Sequence, residues 1–384
     1  MKRFILMILV GWHSMLLSQA VDPRLRALAD MGFEDVMSYK GADGKMTYSF
    51  EAGNYRFLPR AINDLFKKGI FKDDTVQLVI NKRSIPVLFV ELNNNQPVAV
   101  EWPSSGYQVK KNGKVLNPTA GKLDIPFGID YGYQLGNFDR PLLMAIHATA
   151  GIDLTITRGL SLQGAVAFPL FNNFDSNTFI RPHRLAIVYD RQLPDHLWLS
   201  ASLGFFTQYR AGGHIKWRKY TSDGTFFYEM NLGYTRFSSF TGKPQFVQLE
   251  PEASFVYLLD VGYQWKKYDL GFLLSAGRYL YQDAGVNFSF YRQFNEKRIG
   301  IQLLWTENGK NGGFFLQWPF LAKKYPGKGR VSIQTMRSFP ISYRYTGNDR
   351  AGRTYQTGDH VTDQLWETIP YFFSKNLLDA MPSK

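Results

Sequence analysis

From Leu142 to Arg344 apolar and polar positions alternate in run after run of about ten residues, each closed by a Gly, Asn, Asp or Pro turn. In one run Ile152, Leu154 and Ile156 interleave with Asp153, Thr155 and Thr157. In others Phe226, Tyr228, Met230, Leu232 and Tyr234 oppose Glu229, Asn231, Gly233 and Thr235, and Ile299, Ile301, Leu303 and Trp305 oppose Gln302. A period of two puts one oily and one wet face on each strand. The pattern predicts strands over 123–135, 142–157, 160–170, 183–191, 197–210, 212–220, 225–237, 253–266, 268–280, 286–294, 298–306, 312–321, 330–337 and 339–346. Glu307-Asn308-Gly309-Lys310-Asn311 is the clearest hairpin signal.

The alternation fits two folds. A β-sandwich turns its dry faces inward, whereas a membrane barrel turns its dry face outward. The wet face here is small and polar, with few Lys or Glu in mid-strand. Tyr209, Trp217, Tyr220, Phe237, Tyr268, Tyr279 and Tyr281 fall at strand ends, where an interfacial girdle would lie. These features favour a mainly β protein: an antiparallel transmembrane β-barrel of roughly 12–14 strands, with an even count expected of a bacterial barrel.

The first 120 residues read differently. Lys2 and Arg3, an apolar core from Phe4 to Val10 and Met15 to Leu17, and Ser18-Gln19-Ala20 predict a signal peptide over residues 1–20, hence export. Leu25, Leu28, Ala29 and Met31 stand at helical spacing before Gly32. A second short helix is expected over 59–68, and strands over 46–50, 75–80, 87–92 and 98–102. Residues 22–120 therefore form a small α/β domain, expected in the periplasm. Dense turn signals over 103–122 separate it from the barrel at 121–350. Residues 351–384 form a C-terminal tail, in which the alternation is lost from Asp359 onward.

Composition narrows the chemistry. The 384 residues contain no Cys, which excludes disulfides, thiolate metal sites and an acylated cysteine. The net charge of +13 suits a nucleic acid, an anionic membrane or an anionic polymer, and export removes the first. Six scattered histidines lack metal-ligand spacing, and no nucleophile elbow or phosphate loop occurs. His147 with Asp153, and Glu250 with Glu252, are the nearest approaches to a hydrolase pair; both read better as polar filler and solvated turn. No enzyme, cofactor or metal is expected.

The wet parity supplies candidates for lining a lumen and contacting a glycan: His147, Asp153, Gln163, Gln208, Arg210, Glu229, Asn231, Gln264, Gln302 and Gln317. Amides and hydroxyls there suit sugar hydroxyls, scattered Arg suits acidic sugars, and all of them equally suit the filling of a narrow barrel. Lys216, Arg218, Lys323, Lys324, Lys328 and Arg330 are candidate basic loop residues for attracting an acidic glycan.

Leu28-Ala-Asp-Met-Gly-Phe-Glu-Asp-Val36, Tyr48 to Glu51, Asn54-Tyr55-Arg56, Ala61-Ile62, Val100-Glu101-Trp102-Pro103 and the strand from Gly312 to Pro319 resemble exopolysaccharide-biosynthesis outer-membrane proteins of the YjbH/GfcD type. That resemblance implies a periplasmic α/β module ahead of an outer-membrane barrel, working with capsule or exopolysaccharide secretion. The chain departs from it in lacking a lipid-attachment cysteine, and from barrels generally in its non-strand ending. The expected partners are outer-membrane lipids, an anionic polysaccharide and periplasmic or outer-membrane secretion proteins. The alternatives are a plugged barrel whose periplasmic domain scaffolds a secretion complex, and a soluble sugar-binding β-sandwich.

Overall fold

The computed structural model describes residues 22–41, 44–72, 74–103, 115–135, 142–173, 178–240, 246–247, 253–326, 329–344 and 350–378. The expected signal peptide, Lys328 and the Glu250/Glu252 pair lie outside the described residues.

Helix α1 (Pro23–Asp30) starts at Asp22, whose carboxylate accepts the Arg24 N–H at 2.9 Å, with proline at its first position. It leads to β1 (Glu34–Lys40) and β2 (Met46–Glu51). Helix α2 (Leu58–Lys67) then crosses to β3 (Thr75–Lys82), parallel to β2, and β4 (Ile85–Asn93) and β5 (Gln96–Glu101) complete a sheet ordered β1-β2-β3-β4-β5. Leu28, Phe33, Tyr48, Phe50, Ile62 and Leu65 are buried between sheet and helices. Strand β1 escapes the period-two signal because Glu34 and Asp35 are buried there. Lys122 donates to Glu34 at 2.5 Å, and Asp35 accepts the Thr119 N–H at 2.9 Å, so their polarity is paired inside rather than turned outward.

The second sheet has fourteen strands. Twelve form an antiparallel meander: β6 (Leu123–Leu135), β7 (Leu142–Thr157), β8 (Leu160–Asn172), β9 (Arg181–Leu193), β10 (Leu197–Phe206), β11 (Arg210–Tyr220), β12 (Phe226–Phe237), β13 (Ala253–Trp265), β14 (Leu270–Arg278), β15 (Ala284–Phe294), β16 (Lys297–Thr306) and β17 (Gly309–Pro319). The apolar parity faces outward. On β16, Ile299, Ile301, Leu303 and Trp305 are 51%, 51%, 55% and 63% exposed, while Gln302, Leu304 and Thr306 are 8%, 6% and 7% exposed. The same holds for Phe226, Tyr228 and Tyr234 on β12 and for Phe255, Tyr257 and Leu259 on β13. A sandwich would have hidden these side chains; that alternative is excluded.

Closure follows from strand direction. The segment after β17 divides into β18 (Val331–Thr335) and β19 (Ser338–Arg344). β18 pairs in parallel with β6, and β19 pairs antiparallel with β17, so one length of chain touches both edges of the meander. The fourteen strands thus make thirteen staves around the circumference, and the thirteenth stave of a meander points the same way as the first. A parallel edge pair is the geometric result, and the fourteen strands of the sheet agree with the 12–14 and the even count expected.

Two girdle expectations fail. Tyr220 packs inward with its ring 4.8 Å from Trp102, and Tyr279 is buried beside Leu304 and Ala351. Tyr268 and Tyr281 do stand exposed.

After the barrel the chain runs to a 3-10 segment (Val361–Thr368) and helix α3 (Pro370–Leu378) at the end of the barrel that carries the α/β domain. Val361, Leu365, Ile369, Phe372, Phe373 and Leu377 join Trp198 and Tyr220 of the barrel, and Phe57, Phe66 and Trp102 of the domain, in one continuous core. Truncating Phe373, which is fully buried, to alanine is expected to cost about 3–5 kcal/mol. Calorimetry should show the domain-and-tail transition moving down while heat-resistant strand structure persists.

Candidate functional site

The interior of the barrel is built from the wet parity, and the C-terminal tail lies in it. Gly352 N–H donates to Asp283 at 2.7 Å near the end of the barrel remote from the α/β domain. Tyr355 then stacks on Phe206, with ring centroids 5.5 Å apart, and its hydroxyl meets His214 Nδ1 at 3.1 Å. A side chain at Gly233 would meet the Tyr355 hydroxyl, so the absence of one there leaves room for the Tyr355 ring.

Further down, Gln163 grips the tail backbone twice, accepting the Asp359 N–H at 2.7 Å and donating to its carbonyl at 3.0 Å. Arg184 pairs with the Asp359 carboxylate at 2.5 Å. Asp190 accepts the Val361 N–H at 3.1 Å and faces His360 Nδ1 at 3.2 Å. Ser200 meets Thr362 at 3.1 Å, Arg218 donates to the Thr362 carbonyl at 2.6 Å, and Lys216 pairs with Asp363 at 2.7 Å. Strands β8 to β11 therefore hold the tail as a ligand would be held.

The α/β domain closes the base. Arg83 and Ser84 form the two-residue turn between β3 and β4, both at positive φ, as a tight hairpin requires. The turn pushes the Arg83 guanidinium against the barrel, where it bonds Asp153 at 2.8 Å, Asp190 at 3.1 Å and the Asp359 carbonyl at 2.6 Å. Burial opposes its charge, but Asp153, Asp190 and Asp359 more than offset that and hold the guanidinium above its ordinary range. Glu51 accepts the turn amides of Arg83 and Ser84 at 2.8 and 3.0 Å. Its carboxyl is pushed up to about 8 by burial first and by Glu34 and Asp35 next. Lys82 is pulled down to about 7, chiefly by burial, with Glu367 opposing. On the other side Arg56 binds Glu296 at 2.5 Å and the carbonyls of Phe320, Leu321 and Ala322.

Between domain, tail and strands β6 to β9 a polar cavity of about 510 Å³ remains, bordered by Arg83, Asp153, Arg184, Asp130, Thr149 and Met336 among others. Among the described residues no group of three or more His, Asp or Glu side chains is placed to hold a metal ion.

The sequence-predicted residues divide accordingly. Asp153, Gln163, Glu229 and Asn231 face the interior, with Asp153 and Gln163 engaged by Arg83 and the tail and Asn231 bonded to Glu229 at 3.0 Å. His147, Arg210 and Gln302 are buried on the same parity, where His147 meets Arg181 at 3.1 Å and Arg210 donates to Thr235 at 3.3 Å. Gln317 donates to Ser338 across β17 and β19 at 2.7 Å, and Gln264 keeps the inward parity of β13. Gln208 does not line the wall: residues 207–209 turn between β10 and β11, with Gln208 at φ +59° and exposed. Lys216 and Arg218 are not loop residues. They sit within β11, where Lys216 reaches Asp363 and Arg218 reaches Glu229 and the tail, so their charge is spent inside. Lys323, Lys324 and Arg330 do lie outside regular strands on exposed positions, with Lys324 bonded to the Tyr55 hydroxyl at 2.7 Å. Arg83, His360 and the tail, which join the wall in the folded protein, were not among the residues expected from the sequence. The Lys82-Arg83-Ser84 turn between two apolar strands was the available signal for the first.

No family model matches this chain, and no curated protein does. Among solved structures, it is similar to OmpTΔL8, a loop-deletion mutant of OmpT, an outer membrane protein of Vibrio cholerae. The identity is 11%, the match covers 52% of this chain and 87% of that one, and the TM-score is 0.29. In-vitro folded OmpT matches at 12% identity over 58% of this chain and 96% of that one, with a TM-score of 0.27. At such scores the barrel assignment stands on its own ladder and on its outward apolar face.

Replacing Arg83 by alanine leaves Asp153 and Asp190 buried beside no guanidinium and is expected to cost about 3–5 kcal/mol. Limited proteolysis should then release the α/β domain from an intact barrel. The pH dependence has a sign. Glu51 is raised in the folded state, so it withdraws stability as pH rises from its unfolded value of 4.5 through about 8. Glu51→Gln should flatten the melting temperature of the domain across that window.

Proposed function

We propose that the protein is an outer-membrane β-barrel of exopolysaccharide or capsule biogenesis, plugged by its own tail, whose base forms a platform for periplasmic secretion proteins. The observation that carries the membrane part is the outward apolar face: Phe, Tyr, Leu, Ile and Trp are exposed on strand after strand of the second sheet. Such an area far exceeds the apolar patches of soluble proteins. The strands are long enough to cross a bilayer tilted, and helices are not needed for it; no helix among the described residues is long and apolar enough to span.

Orientation follows from the turns. At the domain end every turn between neighbouring strands from β7 to β16 has two to five residues, whereas the longest connections, after β6, β8 and β12, all lie at the other end, beside the short turns β10–β11 and β16–β17. Short turns face the periplasm in outer-membrane barrels, which supports a periplasmic α/β domain.

The plugged reading is favoured over an open conduit because the tail and Arg83 occupy the wall that a passing glycan would use. Attraction of an acidic glycan through Lys216 and Arg218 loses its support, since both cations are paired inside. The link to exopolysaccharide rests on the family resemblance of residues 28–36, 48–56 and 100–103.

Full-length protein in planar bilayers is expected to be silent, and a chain ending at residue 350 to conduct steadily. A wide, constant conductance from the full-length protein would refute the plug. In cells, a variant lacking residues 22–103 should still insert yet fail to restore polymer secretion. Normal secretion from it would remove the platform role.

A further inference from the structure

The closing stave is zipped only at its lower end. β18 pairs with β6 from Val331–Leu123 to Thr335–Phe127, and Met336 N–H adds one bond to the Phe127 carbonyl at 2.7 Å. Above that point no ladder joins β6 to β19 among the described residues, although β19 stays paired with β17. What spans the gap is side-chain contact. Ile129 N–H points at the Met336 sulfur at 3.3 Å, and the Tyr131 hydroxyl donates to the Pro340 carbonyl. Tyr131 stacks on Phe339 at 4.9 Å and Tyr133 on Tyr343 at 6.5 Å. Pro340 offers no N–H to a ladder, and a Cβ at Gly132 would meet nothing within 4 Å. Unpaired backbone is costly in contact with lipid and is tolerated where it lines a wet cavity.

Such a cavity lies behind the gap. The chamber of about 510 Å³ is bordered by both of its edges, by Gly128, Ile129 and Asp130 on one side and by Met336, Ser338 and Pro340 on the other. An interior polar chamber, an unzipped stave and an aromatic outer rim thus coincide.

We propose that this seam is a lateral opening that seats an acyl-chain amphiphile, its hydrophilic head in the chamber and its chain in the bilayer against the outer side of the stacked Tyr131 and Phe339 rings. The inference rests on the outer-membrane reading above. It names the class of ligand, a lipid or an acylated saccharide, that a barrel stoppered along its axis is able to take.

The chain has no cysteine, so a lock is easily installed. A Cβ at Gly128 would lie 3.3 Å from the Met336 Cβ, close to disulfide spacing, so Gly128→Cys with Met336→Cys should staple the seam. Photoreactive p-benzoylphenylalanine is placed at Asp130, in the chamber, or at Leu303, on the outer face, in proteoliposomes of phosphatidylethanolamine and phosphatidylglycerol. Intact-mass spectra are read after illumination, and retained heat-modifiability confirms folding of every variant. Phospholipid adducts at Asp130 that vanish when the disulfide forms and return with reductant are expected. In native outer membranes the adduct mass separates a phospholipid from an acylated saccharide. Adducts at Leu303 with none at Asp130, or Asp130 adducts indifferent to the staple, would overturn the opening. Absence of adducts at Leu303 would overturn the membrane reading and the opening with it.

Discussion

The Arg83 guanidinium is shared by a carboxylate of β7, a carboxylate of β9 and a carbonyl of the tail. Three segments far apart in sequence cannot separate without stranding a buried charge, and a stranded buried charge costs far more than the pair gains. The contact therefore adds less to overall stability than to arrangement. It sets where the α/β domain sits on the barrel and where the tail must leave the lumen. Glu51 holds the turn that presents Arg83, and Asp190 doubles as the partner of His360, so domain and tail are positioned by the same few groups.

The same electrostatics explain why this barrel fills itself. Its inner wall carries Arg184, Asp190, Lys216, Arg218 and Glu229, and each needs partners away from bulk water. A tail bearing Asp359, His360 and Asp363 supplies several of them, while Phe373 and Leu377 beyond it complete a core that neither the small domain nor the barrel base has alone. Filling is asymmetric. Against β8 to β11 the tail packs closely, whereas beside β6 and β7 the inward residues Gly128, Thr149 and Gly151 leave the chamber open.

The outward oil and inward polarity of the strands were legible because alternation is a local property, readable two residues at a time. Strand positions such as 123–135 and 142–157 coincide with β6 and β7 for that reason. Gln208 was misplaced because a turn between two apolar runs keeps the parity of the strand it interrupts. Lys216 and Arg218 look like loop cations in sequence, since their acidic partners Asp363 and Glu229 are revealed only by the folded wall. The tail was opaque for a related reason: it has no periodicity of its own and takes its conformation from the lumen. The two strands of 331–344 were legible, but nothing in their alternation shows that one stretch serves two edges.

The central claim is that the chain's own C-terminal segment lies within the barrel. Hydrogen exchange of the membrane-inserted, full-length protein tests it most directly. The amides of Asp359 and Val361 should exchange as slowly as those of β10, because they donate to Gln163 and Asp190 of the wall, while Gln356 donates to Thr207 in the β10–β11 turn. Exchange of that segment at the rate of a free peptide, beside a protected barrel, would contradict the account.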